Sequence, residues 1–232
     1  YAADMLLVDD LRELRPSHVF YAGKLVAQEG RLLAEIEDKS YPLESANSVH
    51  VRKLAAEDFT IHPPVSQGKV KVNLMNLSTT DIVCEEVGVK DGRIDISGDQ
   101  DLKFVAVVNR YEGNDNIALG LVRGFGTKTG ALASTVSHDS HNLTIVYDNP
   151  EEALMAAEEL ARTGGGMCAV KEGKILHTLA LPLAGLMSLK PAEELAEDSA
   201  VMKDANRALG LTNMENPLLR IVTLALPVIP DA

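Results

Sequence analysis

The sequence contains no tryptophan, and aromatic residues make up only 4% of its 232 positions. It therefore has no set of aromatic side chains on which the bases of a single-stranded nucleic acid could stack. Basic residues are also scarce, because 22 Lys and Arg stand against 34 Asp and Glu, for a net charge of −12. Nucleic-acid phosphates and anionic lipid surfaces bind cationic surfaces, so this balance argues against both as partners.

Cysteines and long apolar runs are nearly absent as well. Cys84 and Cys168 are far apart and form neither a zinc-binding motif nor a disulfide framework. Two isolated thiols favour a reducing cytoplasm, and the sequence leaves open a disulfide between them. The most apolar run, 175–187, is interrupted by polar residues and proline and falls short of the ~20 apolar residues of a spanning helix. The sequence thus predicts no membrane-spanning segment.

What the sequence does contain is a mixture of strand and helix signals. With 46% hydrophobic residues the chain can bury a core. Leu143, Ile145 and Tyr147 alternate with Thr144 and Val146, which predicts a half-buried strand. Other strands are predicted at 2–8, 19–21, 25–26, 70–74, 82–89, 93–96 and 104–108. The fold class predicted is α+β, a mixed sheet with two main helices and an undetermined strand order.

The two helices have clear ends. Asn149 is placed to cap the first, with Pro150 at its first position, Glu152 at capping-box spacing and Gly164 as the first residue of a glycine run that ends it. The second follows Pro191 and stops at Gly210. The residues predicted to face the core are Leu154, Ala157, Leu160 and Ala161 in the first helix and Leu195, Met202 and Leu209 in the second.

The pentapeptide His138–Asn142, His-Asp-Ser-His-Asn, places five polar residues between two strand-like segments and reads as a hairpin tip. Asp, Ser and Asn favour turns because their side chains bond neighbouring backbone groups. Two histidines three positions apart are not explained in this way, and imidazole suits metal ligation and proton transfer near neutral pH. From local sequence alone, a structural turn and a functional loop stay equally open.

Two other polar segments carry weaker signals. The glycine-rich run 124–130 lacks the spacing of a phosphate-binding loop and leads into a strand, so it is interpreted as a turn. Arg110, Glu112, Asn114 and Asp115 are interpreted as a solvated charged loop.

Longer runs resemble one family. VRGFGTKTGALASTVSHDSHN, from Val122 to Asn142, resembles the signature stretch of the carboxy-terminal domain of bacterial-type adenine deaminases. Matches in the family's order are DLKFVAVVNRYEGNDNIALG before it, and GGGMCAVKEGKILHTLALPLAGLMS, NPLLR and LALPVIP after it. AADMLLVDDLRELRPSHVFYAGKLVAQEGRLL, from Ala2 to Leu33, resembles the strands that close the small β-sandwich of amidohydrolases.

This resemblance implies a hydrolase of adenine catabolism and purine salvage, which converts adenine to hypoxanthine and ammonia with a divalent metal: manganese, iron or zinc. Amidohydrolases of this kind hold their metals in a barrel through a His-x-His pair and further ligands, and no His-x-His occurs here. We therefore expect the metal to be bound mainly outside this chain, with no metal ligand within it. The chain is expected to be a fragment, inactive alone, whose partner is the amino-terminal barrel of the same protein.

The predicted domains are the end of an amidohydrolase β-sandwich at 1–45, a connector at 46–65 and the α+β domain at 66–232. The runs 175–187 and 226–229 offer apolar surface for the barrel or a sister subunit to cover, and we expect the parent enzyme to be a homo-oligomer. The alternative function is a non-catalytic structural or oligomerisation domain of an amidohydrolase.

The density of donors and acceptors in the tip predicts the site. We expect His138 and His141 to act in catalysis and Asp139, Ser140 and Asn142 to bind adenine, with the tip reaching the metal-containing mouth of the barrel.

Overall fold

The computed structural model describes residues 2–37 and 46–225 and divides the chain into two compact units, Tyr1–Tyr41 and Pro42–Ala232. The first unit is one antiparallel sheet in the order β1-β2-β3-β4. Its strands are β1 Met5–Val8, β2 Pro16–Tyr21, β3 Lys24–Gln28 and β4 Arg31–Leu32. The tight turn between β2 and β3 has left-handed backbone at Ala22 and Gly23, which suits a two-residue hairpin. The three strands predicted here are confirmed.

The second unit is built on a nine-stranded sheet in the order β13-β12-β10-β11-β8-β9-β5-β6-β7. Its strands are β5 Gly68–Asn76, β6 Asp81–Lys90, β7 Arg93–Asp95, β8 Leu102–Val108, β9 Ile117–Arg123, β10 Ala131–Ser134, β11 Leu143–Tyr147, β12 Gly166–Lys171 and β13 Lys174–Ala180. The β5 and β9 strands pair in parallel, whereas the other pairs are antiparallel. The predicted α+β class with a mixed sheet is confirmed.

Helices cover both faces of this sheet. They are the 3-10 helix Ala56–Phe59 and the α-helices α1 Pro150–Thr163, α2 Ala192–Leu209 and α3 Leu219–Val222. The Asn149 side chain caps α1 by accepting from the backbone N–H groups of Glu151 and Glu152, as predicted. The expected capping box does not form, because the Glu152 carboxylate instead accepts from the Gly173 N–H at 2.8 Å. Gly164, in left-handed conformation, ends the helix.

The central strands are buried on both sides. On β10, Ala131 and Ala133 belong to the core cluster under α1, while Leu132 belongs to the cluster under α2 and α3. The prediction that 143–147 is half-buried is therefore wrong, since all five residues are buried. The strand is buried on both faces because α1 covers one face of it and α3 reaches the other.

The core-facing positions of α1 are also shifted from the prediction. Ala153, Ala156, Ala157 and Leu160 are fully buried, whereas Leu154 packs against the core only in part. In α2, Met202 and Leu209 are buried as predicted.

The segment 46–65 contributes to the core of the second unit. Leu54 and Phe59 belong to the cluster under α1, and the buried Tyr147 hydroxyl donates to the Phe59 carbonyl at 2.7 Å. The two units divide between Tyr41 and Pro42, and the finer domain limits predicted from sequence stay predictions.

The two cysteines are free thiols, Cys84 exposed and Cys168 buried, and burial raises the pKa of Cys168 to about 12. Within the described ranges, none of the helices combines the length and the apolar character needed to cross a membrane.

Candidate functional site

The candidate site is the tip of the β10–β11 hairpin, residues 135–142. The two strands pair antiparallel from Ala131↔Tyr147 to Ser134↔Thr144, so the chain must reverse between Ser134 and Leu143. Small residues in β10 allow it to lie buried between β11 and β12. The sequence-predicted hairpin is confirmed.

Hydrogen bonds inside the tip fix its shape. The His141 N–H donates to the Ser137 carbonyl at 2.7 Å, and the Ser137 N–H donates to His141 Nδ1 at 3.3 Å. Below them the buried hydroxyls of Ser137 and Thr144 are 2.8 Å apart. His141 has φ 51°, a left-handed backbone that few residues other than glycine adopt and in which asparagine, aspartate and histidine are enriched. The tip is thus closed by specific contacts of its own residues.

The tip rests on a buried arginine. Arg110 follows β8, whose last residue Val108 pairs with Leu143 at the start of β11. It is 1% exposed, and its guanidinium donates to the carbonyls of His141 and Ala184 and to the Ser48 hydroxyl. Its side-chain partners are thus uncharged oxygens. Burial lowers the pKa of Arg110, an effect that the neighbouring Tyr111 opposes.

Tyr111 supports the same segment from the surface. Its hydroxyl donates to the Ser140 carbonyl at 2.8 Å, and the Arg110 guanidinium carbon lies 4.7 Å from its ring centroid. The neighbouring residues Arg110 and Tyr111 therefore hold the backbone of the tip at two consecutive carbonyls.

Sequence reasoning missed this support, because it interpreted Arg110 as part of a solvated loop. That interpretation is wrong for Arg110, although Glu112 and Asp115 are exposed. The sequence did hold one signal, because Arg110 follows an apolar strand by two residues and must lie near the strand that pairs with that one. The sequence does not show that the paired strand is β11, which begins directly after the tip.

The environment of His141 favours a neutral imidazole. Burial is the largest cause that lowers its pKa, and the charges of His138 and Arg110 act in the same direction while Asp139 opposes them. Because Nδ1 accepts the Ser137 N–H, the proton of the neutral ring lies on Nε2. His141 can therefore present an uncharged N–H donor.

The structure brings the two histidines together. Their ring centroids are 5.4 Å apart at an interplanar angle of 64°. His138 is exposed, and its backbone N–H donates to the Val222 carbonyl of α3 at 2.9 Å.

The other predicted site residues flank this pair. Asp139 and Ser140 are exposed and Asn142 is partly buried. Turn chemistry accounts for Ser140, whose hydroxyl accepts from the Asn142 N–H at 3.4 Å. In the described part of the chain, Asp139 makes no side-chain hydrogen bond, and the buried Asn142 Oδ1 has no partner. Asp139 and Asn142 thus each have a side-chain oxygen that the hydrogen bonds of the turn do not use.

Among residues 2–37 and 46–225 there is no group of three His, Cys, Asp or Glu side chains arranged to hold an ion. The histidines and the carboxylate of the tip are thus not part of such a group in the described residues.

Comparison with known proteins places this geometry in a family. The sequence model described as the adenine deaminase C-terminal domain matches residues 78–232. An adenine deaminase from Moorella thermoacetica is 41% identical over 234 residues, which cover 99% of this chain and 39% of the relative. Adenine deaminases from Desulforamulus reducens and Bacillus velezensis are each 38% identical, over 99% and 100% of this chain and 39% and 41% of the relatives.

The chain thus spans about two fifths of the length of these curated relatives. The domain match covers more than half of the chain and includes the hairpin tip with the Arg110 support. The chain belongs to the adenine deaminase family, and its residues 78–232 match the family's C-terminal domain.

Proposed function

We propose that the protein containing this chain is an adenine deaminase, which hydrolyses adenine to hypoxanthine and ammonia, and that the tip 135–142 closes its adenine-binding site. The family membership of residues 78–232 carries the proposal. In the tip, two histidine rings lie close together beside side-chain oxygens that have no hydrogen-bond partner, and Arg110 and Tyr111 hold its backbone.

The proposed roles follow from the hydrogen-bonding groups. Adenine offers ring nitrogens that accept and N–H groups that donate. The Nε2–H of neutral His141 would donate to a ring nitrogen, while the exposed Asp139 carboxylate would accept from an N–H. The exposed His138 is the imidazole free to move a proton, since its ring makes no hydrogen bond within the described residues.

The metal of the proposed reaction would be held elsewhere. The resemblance implies manganese, iron or zinc, but the described residues do not supply a ligand set. The contribution of this chain is therefore to bind and orient adenine and to exclude water around it. We propose that the chain does not turn over adenine when the barrel is absent.

Steady-state kinetics of the full-length enzyme test the proposal. The two variants are His138→Ala and His141→Asn, and asparagine is chosen at 141 because it tolerates the left-handed backbone there. We expect each to lower kcat/KM by about ten- to a thousandfold. His62→Ala is the matched control, because His62 is an exposed histidine bonded to Glu57 and the Gly92 carbonyl and should leave kcat/KM unchanged. Near-normal kinetics in both tip variants would favour the alternative, a non-catalytic domain.

Assembly and location complete the proposal. Ile175, Leu176 and Met187 are 41%, 40% and 54% exposed, which supports a homo-oligomer in which this apolar surface is covered. The run 226–229 that gave the same expectation lies outside the described residues. Light scattering that gave a monomer mass for the full-length enzyme would refute the oligomer. The free thiols suit a cytoplasmic protein.

A further inference from the structure

A second turn lies beside the tip, at residues 183–187 between β13 and α2. Leu183 and Met187 pair across it, because the N–H of each donates to the carbonyl of the other at 3.1 Å. The backbone is left-handed at Ala184 and Gly185, as tight reversals often require. Residues that lie directly opposite each other in an antiparallel pair project their side chains on the same side, so Leu183 and Met187 form one small patch.

Hydrogen bonds fasten this turn to the tip. Thr135, the first residue of the tip, donates its buried hydroxyl to the Gly185 carbonyl at 2.6 Å. Arg110 donates to the Ala184 carbonyl at 3.1 Å and, through another nitrogen of the same guanidinium, to the His141 carbonyl. A Cβ on Gly185 would lie 2.5 Å from Arg110 Nη1, so the turn packs directly on the guanidinium. The tip and the turn are therefore neighbours held by the same buried groups.

The patch is apolar, and the core does not use it. Met187 is 54% exposed and Leu183 is partly buried. Neither side chain belongs to the two core clusters of the described residues or to the hydrophobic residues packed against those clusters. The turn thus presents free apolar surface on a fixed backbone, next to the polar side chains of the tip. Small-molecule sites combine these two kinds of surface.

Adenine needs both surfaces. Its hydrogen-bonding groups lie in the plane of the ring, whereas its two faces are flat and apolar. The contacts proposed for His141 and Asp139 lie along the edge of the ring and leave its faces uncovered. The purely aliphatic side chain of the tip, Val136, packs against the core cluster under α2 and α3, so it does not cover them. An apolar neighbour has to supply that contact.

We propose that Leu183 and Met187 form the apolar wall of the adenine site, with one face of the ring lying against the Met187 side chain while the ring edge meets the tip. The inference rests on the proposed function of the tip and adds to it a specificity-determining contact. A thioether is polarisable and packs favourably against aromatic rings, so this wall favours a flat heteroaromatic base. The wall touches the ring face in the bound substrate and in the transition state alike, so its loss should appear in KM more than in kcat.

Steady-state kinetics of the full-length enzyme with adenine test the wall. Met187→Gln keeps the length of an exposed side chain and makes it polar, so we expect KM to rise about tenfold with kcat little changed, as when most of the apolar contact of one methionine is lost. Met187→Leu keeps the apolar surface and should have a KM near that of the unmodified enzyme. In the 232-residue chain, the amide resonances of 138–142 should be unchanged by Met187→Gln, because the turn is held through its backbone.

Ile175→Gln is the matched control, because Met187 also belongs to the apolar surface proposed for the oligomer. Ile175 is 41% exposed in that surface but lies on β13, outside the turn, and its variant should leave KM unchanged. An equal rise of KM in Ile175→Gln would assign the effect to assembly and overturn the inference.

The tip variants separate a failure of the wall from a failure of the proposed function. A normal KM in Met187→Gln, together with a loss of kcat/KM in His138→Ala, overturns the wall alone. Near-normal kinetics in Met187→Gln, His138→Ala and His141→Asn overturn the wall and the adenine-binding role of the tip together. A fall of kcat in Met187→Gln with altered amides at 138–142 would show that the turn only shapes the tip, and this also overturns the wall.

Discussion

His141 combines a left-handed backbone, a partly buried ring and a pKa held below the ordinary value of 6.5. These features have one consequence for stability. As the pH falls, a histidine of the unfolded chain takes up its proton near 6.5, before the folded His141 does. The unfolded state then binds more protons, so the free energy of unfolding decreases as pH falls through this window, and the contribution of His141 levels off below its folded pKa.

The His141→Asn variant isolates that effect. Asparagine tolerates the left-handed backbone, and its side-chain oxygen can accept the Ser137 N–H. We expect the free energy of unfolding, measured with urea at about pH 8 to 5, to decrease less steeply in the variant. NMR titration of the His141 ring in the unmodified chain is the direct check, and a midpoint at or above 6.5 would contradict the expectation.

Arg110 acts on the same segment through hydrogen bonds. In Arg110→Met the carbonyls of His141 and Ala184 lose their buried donor, which should lower the free energy of unfolding by about 1–3 kcal/mol. Arg220→Met is the matched control, because Arg220 also donates to two backbone carbonyls, those of Gly124 and Phe125.

The two arginine variants differ in what they report. Both should lose stability, but only Arg110→Met should shift the amide resonances of residues 138–142. If those resonances stay unchanged in Arg110→Met, the arginine stabilises the domain without positioning the tip.

At the scale of secondary-structure elements, the base of the tip depends on how α1 passes into β12. Gly166 begins β12 at φ 131°, and a Cβ there would lie 1.9 Å from the Leu179 carbonyl oxygen of β13. Its N–H donates to the Thr135 hydroxyl of the tip at 2.8 Å, which joins the start of β12 to the tip. The neighbouring strands therefore leave room only for glycine.

We expect Gly166→Ala to lower the free energy of unfolding by about 3 kcal/mol or more, because backbone must move to admit the methyl group. Gly173→Ala is the control: Gly173 has φ 67° but nothing within 4 Å of the added carbon, so only about 1–2 kcal/mol of backbone strain applies. Urea unfolding of both variants decides the comparison. Equal losses would mean that the β12–β13 contact adapts to a side chain.

At the scale of the whole molecule, the two units differ in how much core they hold. Among the described residues of Tyr1–Tyr41 only Ser17 is buried, and Met5, Leu6 and Leu7 are 48%, 61% and 49% exposed. A sheet with so little buried apolar surface cannot offset the conformational entropy of its chain.

We therefore expect residues 1–41 alone to be unfolded by circular dichroism and NMR. Residues 42–232 should unfold cooperatively with a Tm within about 5 °C of the entire chain, because the buried clusters lie within them. A folded 1–41 peptide, or a much lower Tm for 42–232, would show that the units depend on each other for stability.

The sequence by itself determined the local features of this protein. The start and end of α1, the β10–β11 hairpin and the strand at 104–108 follow from signals within a few residues: the Asn149 cap, the Gly164 stop, and apolar runs bounded by turn formers. The family was also predicted from sequence, since its motifs are long and ordered, and the domain match confirms it.

Only the tertiary structure decided which of these elements meet. The strand order, the strands β9, β12 and β13 that gave no predicted signal, and the burial of 143–147 depend on pairings between distant segments. The same pairings bury Arg110 beneath the tip and Lys103 at the other end of β8. A charged side chain after an apolar strand looks solvated from sequence, because the residues that surround it lie tens of positions away and touch it only once the sheet has formed.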